Sequence, residues 1–235
     1  MMDARIRDAA KLITGMATRH SVYDAFRDTV EAGFHAFAKI SAPPTARDAH
    51  EDAYMRTIGR WPKDVVRQTM PAVHGLAMRA LNEGGVDFWG CLAGELGSLN
   101  THLGQFFTPY DLCRLSAAIT LGDSPFEGRT RRYITVAEPA CGSGAMLLAA
   151  ADHLCGLGYN PADALWVDAT DVSPLAYHMC YLTLTCAGVP GVVRLGNSLT
   201  LEVTEERLTH QGILFVQKHG WPGRFPRRRK RRGTA

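Results

Sequence analysis

Ala137-Glu138-Pro139-Ala140-Cys141-Gly142-Ser143-Gly144-Ala145 lies directly after the apolar run Ile134 to Val136 and directly before a helical pattern, Met146 to Leu154. Its glycines let the backbone turn sharply and approach a ligand closely. The helix behind them offers free backbone N–H groups and a positive dipole end. An ordinary tight strand-to-helix turn carries the same glycines. The acid four residues before the first of them, Glu138, together with the flanking strand and helix, favours ligand binding by this turn.

Downstream, short β-branched runs alternate with helical patterns: YITVAEPA, MLLAAADHL, ALWVDATD, PLAYHMCYLTLTCAG and GVVRLGNSL. Strand-helix-strand-helix-strand predicts a parallel sheet with helices on its faces. Ligands then bind beyond the carboxyl ends of the strands. Asp171 closes the strand Leu165 to Thr170 and opens the next helix through Val172-Ser173-Pro174, so its carboxylate is expected beside the glycine turn. There it could accept both hydroxyls of a ribose or cap the helix. Asp168 falls within the strand and is a weaker candidate. The third strand, Val192 to Leu195, ends at Gly196-Asn197-Ser198. Asn197 is a residue that could meet an adenine amino group or serve only the turn.

Upstream, apolar residues recur at helical steps. Ile6, Ala10, Ile13 and Met16 are followed by Phe26, Val30, Phe34 and Phe37 until Ser41-Ala42-Pro43-Pro44, which cannot continue a helix. Helical periodicity resumes from Ala46 to Trp61 and from Lys63 to Leu81, with Gly84-Gly85 closing it. Three regions are expected: an all-helical region over 1–100, an α/β core over 101–212, and a possible last strand, Ile213 to Val216, with a basic tail over 213–235.

A chain of 235 residues, 46% hydrophobic and 21% charged, lies in the globular range. There is no run of roughly 18 apolar residues and no signal-like apolar stretch at the N-terminus, so a cytoplasmic protein with no membrane partner is expected. The six cysteines form no C-x-x-C pair and lack close histidines, so neither a metal site nor a disulfide framework is expected. The net charge of +3 is unevenly spread. Seven basic residues lie between Arg224 and Arg232; without them, 19 basic residues face 23 acidic ones. The body is mildly acidic. The tail is either a phosphate-contacting segment or a solvated end.

GQFFTP (Gly104 to Pro109), followed by a helix over Tyr110 to Leu121 and then AEPACGSGAML, closely resembles the modification subunits of type I restriction systems and related N6-adenine DNA methylases. FRDTVEAGFHAF and VDFWGCLAGELG resemble that family's helical N-terminal region. The resemblance implies a Rossmann-like S-adenosylmethionine-dependent methyltransferase sheet. In it, Phe106, Phe107 and Thr108 line the methionine end of the cofactor, and Glu138 with Ala140 to Gly144 hold its amino acid portion. Asp171 is implied as the ribose-binding acid. Asn197 stands where the family has an aspartate near the adenine, which keeps a hydrogen-bonding group and removes a charge.

Such enzymes also carry an N-P-P-aromatic motif that grips a flipped adenine. None occurs after Gly212, and Pro43-Pro44 lacks both the polar residue and the ring. Gln217 and Trp221 are the weak catalytic candidates left. The chain also has no room for further strands or a target-recognition domain, so the sheet is expected to be truncated, with base reading by a specificity subunit or a second methylase subunit. The resemblance favours a site-specific adenine-N6 DNA methyltransferase, or the methylase subunit of a restriction-modification-like system, acting on DNA. The missing motif favours a catalytically silent S-adenosylmethionine-binding and DNA-binding accessory or anti-restriction protein. A frame-altered product, with RFPRRRKRRGTA as a non-ancestral ending, is the third reading. Replacing Arg227 to Arg232 with neutral residues is expected to lower DNA affinity and to flatten its salt dependence by up to ~0.9 in log–log slope per lost phosphate contact. Titrations at several salt concentrations measure this, and unchanged slopes would make the tail a solvated end.

Overall fold

The computed structural model describes residues 3–97 and 108–222. Five α-helices come first: α1 (Ala4–Met16), α2 (Val22–Ser41), α3 (Pro44–Ile58), α4 (Met70–Glu83), entered through a π-helical turn at Val65–Thr69, and α5 (Phe88–Glu95). The double proline does what its chemistry requires. It stops α2 at Ser41 and, with φ already helical, places Pro44 in the first turn of α3. Asp3 and Ser21 cap α1 and α2 by accepting from the N–H groups of Arg5 and Asp24.

After α6 (Tyr110–Leu121) the chain runs β1 (Ile134–Glu138), α7 (Ala145–Gly156), the single turn α8 (Pro161–Ala164), β2 (Leu165–Asp171), α9 (Pro174–Cys186), β3 (Gly191–Asn197), β4 (Glu202–Leu208) and α10 (His210–His219). The sheet order is β1-β2-β3-β4; the first three strands are parallel and β4 is antiparallel. This is the α/β, Rossmann-like arrangement expected. Strand alternation puts Ile134, Leu165, Val167, Ala169 and Val193 in one core with Leu147 of α7 and Tyr177 and Tyr181 of α9. Trp166 and Val192 point the other way, against Phe215 of α10.

The helical layer is not a separate globule. Ile6, Phe26, Val73, Leu81, Phe88 and Leu92 share one continuous core with Leu148 of α7 and with Leu175, Met179 and Leu182 of α9. Among the described residues the helices before Gly97 and the α/β elements that follow thus pack into one core.

Two elements differ from expectation. Ile213 to Val216, expected as a last strand, lies inside α10. Thr209 caps that helix by accepting from Gly212 N, and Lys218 and His219 sit favourably in its last turn. A four-residue apolar run does not distinguish strand from helix by periodicity. The edge strand β4 was not expected at all, because EVTEERL shows no apolar run. Its side chains answer to polar partners: Glu206 accepts from Arg194 Nε at 3.0 Å, and Arg207 Nε donates to His50 Nε2 at 3.1 Å.

Phe34 of α2 inserts among Tyr177, His178 and Tyr181 of α9, with ring centroids 4.2 to 5.1 Å away. His35 and His50 meet beside it, Nδ1 to Nδ1 at 3.0 Å. Burial, with His50, Arg56 and Arg207, pushes His35 down to about 4, and burial with His35 and His50 pushes His178 down to about 3. The unfolded chain therefore takes up protons on these rings before the folded one does. Their neutral packing is fully retained above the unfolded value near 6.5 and is increasingly lost as pH falls toward the folded values. Urea denaturation at pH 7.5 and 5.5 is expected to show a loss of roughly 1 kcal/mol for each such histidine. His178→Phe, which keeps the stacked ring, should remove one share of that loss.

Candidate functional site

The carboxyl ends of the three parallel strands carry the residues on which the site is built. In the β1–β2 register Glu138 pairs with Ala169, two residues before Asp171, so strand alternation places both acids on the same side of the sheet. Between them runs the turn from Pro139 to Gly144. Gly142 has φ +53° and Gly144 φ +91°, the left-handed region that favours glycine. A Cβ on Gly144 would lie 3.2 Å from Cys180 Sγ of α9, so this end of the turn is pressed against that helix. Cys141 N donates to Thr170 O at 3.0 Å and stitches the turn to β2. No side chain caps α7, which leaves its first-turn N–H groups and positive dipole end for a ligand.

Asp171 spans the site. Its Oδ2 accepts from Gly142 N at 2.9 Å and its Oδ1 from Ser173 N at 2.9 Å. The helix cap of α9 is Ser173, which accepts from Ala176 N, so that alternative role of Asp171 is taken by its neighbour. Glu138 Oε1 accepts from Ala140 N at 3.2 Å and remains only half-buried. Asn197 performs a turn function: its Oδ1 accepts from Leu199 N and Thr200 N, at 2.9 and 3.2 Å, in the hairpin to β4. Asp168 faces the opposite side of the sheet and pairs with Arg194.

Thr108 is exposed, at the entry to α6, and its carbonyl accepts from Cys113 Sγ at 3.7 Å. Phe106 and Phe107 lie outside the described residues. Cys141 is buried, and its thiol is pushed well above the ordinary range by a hydrogen bond with Cys180 and by burial, so it is a packing group and not a nucleophile. Gln217 is exposed on α10. Trp221 packs its ring on Trp166, with centroids 5.7 Å apart. Trp166 is the second residue of β2 and Asp171 its last, a separation of roughly 16 Å along the strand. Gln217 and Trp221 are thus gathered at the amino ends of the strands, and the structure does not bring them to the glycine turn.

Asp87, a polar partner of the glycine turn, escaped the sequence. Ser143 is 1% exposed, and its hydroxyl donates to Asp87 Oδ2 at 2.6 Å. Asp87 is 56 positions earlier in the chain. The only local sign of it is an acid in front of a helix.

Residues 95–213 match the family model of the N-6 DNA methylases. The chain belongs to that family. A crystal structure from Listeria monocytogenes, of a chain assigned to the class I S-adenosylmethionine-dependent methyltransferases, is similar at 11% identity and a TM-score of 0.44. The match covers 82% of this N-6 DNA methylase and 53% of that chain, so the present sequence spans about half the length of that structure. No curated protein matches.

The cofactor that the family implies is S-adenosylmethionine, and the residues present fit it. The left-handed glycines, the uncapped α7 and two carboxylates on one side of the sheet are suited to a ligand with an amino acid end and a ribose. No helix among the described residues is long and apolar enough to cross a membrane. Gly144→Ala is expected to destabilise the protein by about 1–3 kcal/mol through left-handed strain and contact with Cys180, measured as a fall in Tm. An unchanged Tm would show that the turn tolerates another backbone path.

Proposed function

We propose that the protein is an S-adenosylmethionine-dependent DNA methyltransferase acting on adenine N6, or the methylase subunit of a restriction-modification-like system. The observation that carries this reading is the placement of Glu138 and Asp171 on one side of the sheet, bracketing the glycine turn. In this reading Asp171 accepts the ribose hydroxyls with the lone pairs not used by Gly142 and Ser173. Glu138 and the turn from Ala140 to Gly144 hold the amino acid end. Asn197 keeps its Oδ1 for the hairpin, so its amide NH₂ is the group left to meet the adenine ring. Phe106, Phe107 and Thr108 line the methionine end.

When bound, the cofactor supplies a sulfonium methyl group that is a strong electrophile. The chain's own contribution is alignment more than acid–base chemistry. Alignment also needs a grip on the target adenine, which must leave the duplex stack to be reached. The packing of Trp221 on Trp166 gives a second reading its support: a cofactor-binding relative that is catalytically silent and acts beside a specificity subunit or a second methylase subunit. In both readings the basic stretch Arg224 to Arg232 contacts DNA phosphates.

Calorimetric titration with S-adenosylmethionine and tritiated methyl transfer to unmethylated DNA, on one preparation, separate the readings. Asp171→Ala is expected to weaken cofactor binding about tenfold or more through lost charge-assisted hydrogen bonds. Trp221→Ala should leave cofactor affinity unchanged. Transfer by the wild type supports the enzyme, binding without transfer the silent relative, and no binding at all would overturn both.

A further inference from the structure

Asp87 is 2% exposed and sits at the start of α5. Its Oδ1 accepts from Gly90 N at 3.1 Å and its Oδ2 from the Ser143 hydroxyl at 2.6 Å. The approach is close enough to dictate a glycine: a Cβ on Gly90 would fall 1.9 Å from Asp87 Oδ2 and 2.7 Å from Ser143 Oγ. Asp3, Ser21, Asn160 and Ser173 cap their helices from exposed or half-buried positions, and the buried cap Thr209 is neutral. A capping role alone therefore does not call for an ionisable group in the interior, where an acid is costly. Burial pushes the Asp87 carboxyl up, against the two hydrogen bonds that favour its charged form.

Adjacent residues of the glycine turn are thus held by carboxylates from different parts of the molecule. Asp171 takes Gly142 N from the sheet, and Asp87 takes Ser143 Oγ from the helical layer. Farther along the same junction, Asp152 of α7 accepts from Gly85 N at 2.7 Å and from the Tyr110 hydroxyl of α6 at 2.6 Å.

We infer that Asp87 is a positioning residue for the cofactor: through Ser143 it fixes the glycine turn against α5, so that cofactor binding and the seating of α5 form one linked equilibrium. This rests on the reading of the turn as the S-adenosylmethionine site. Linkage makes the effect reciprocal, so a cofactor that tightens the turn also tightens α5.

The test combines S-adenosylmethionine calorimetry, thermal melting and hydrogen exchange on the whole chain, with Asp87→Ala, Ser143→Ala, the double variant and Asp87→Asn. Each alanine variant is expected to bind about tenfold more weakly, and the double variant no worse than the weaker single, because the two act as one unit. Asp87→Asn, which keeps the cap on Gly90 and a partner for Ser143, should recover most of the affinity. In the wild type, cofactor should slow exchange of the α5 amides, Gly90 included; in Ser143→Ala, saturating cofactor should no longer do so. That last readout is not moved by a general loss of stability. Wild-type affinity in folded Ser143→Ala, or α5 protection that still follows the cofactor there, overturns the inference while leaving the cofactor site in place, provided Asp171→Ala is weakened. A wild type that does not bind overturns the cofactor reading itself, and this inference with it.

Discussion

α9 has two apolar faces and both are used. Leu175, Met179 and Leu182, at steps of four and three, enter the core of the helical layer, while Tyr177, Cys180, Tyr181 and Leu184 enter the core against the sheet. A helix apolar all round is stable only when covered all round. Burying a side chain of this size contributes about 1.5–3 kcal/mol, so neither the sheet nor the helical layer is dispensable to it. The glycine turn inherits this constraint, because Gly144 rests against Cys180. The helical region thus supports the glycine turn through packing on α9 as well as through the bond that Asp87 accepts from Ser143.

The parts of the fold legible in the sequence are those whose pattern is local. The turn at Ala140 to Gly144, the strands on either side of α9 and the break at Pro43-Pro44 each announce themselves within a few residues. β4 did not, because its side chains answer polar partners on other elements: Glu206 answers Arg194, and Arg207 answers the neutral ring of His50. α10 replaces the expected strand because Ile213 to Val216 is too short a run to show a period, and the Thr209 cap that decides the matter lies just upstream.

Site residues divide along the same line. Glu138 and Asp171 could be picked out because each ends a strand, and the register then shows that they share a side. The turn role of Asn197 was foreseen as an alternative and is what its Oδ1 does. Asp87 could not be found, since its relation to Ser143 exists only after α5 has packed beside the glycine turn. Trp221 looked eligible because its neighbour Trp166, across the chain, was invisible to local reading.

Among the described residues β1 lies at one edge of the sheet, and Thr135 and Ala137 on it are exposed. Such a border presents unsatisfied main-chain groups and is the usual template for unwanted association between copies. Arg129, Arg131 and Arg132, all exposed, stand immediately before it. A second copy laid alongside in parallel register would bring two arginine clusters together. Positive charge ahead of a five-residue strand therefore disfavours that parallel pairing of β1 edges between copies.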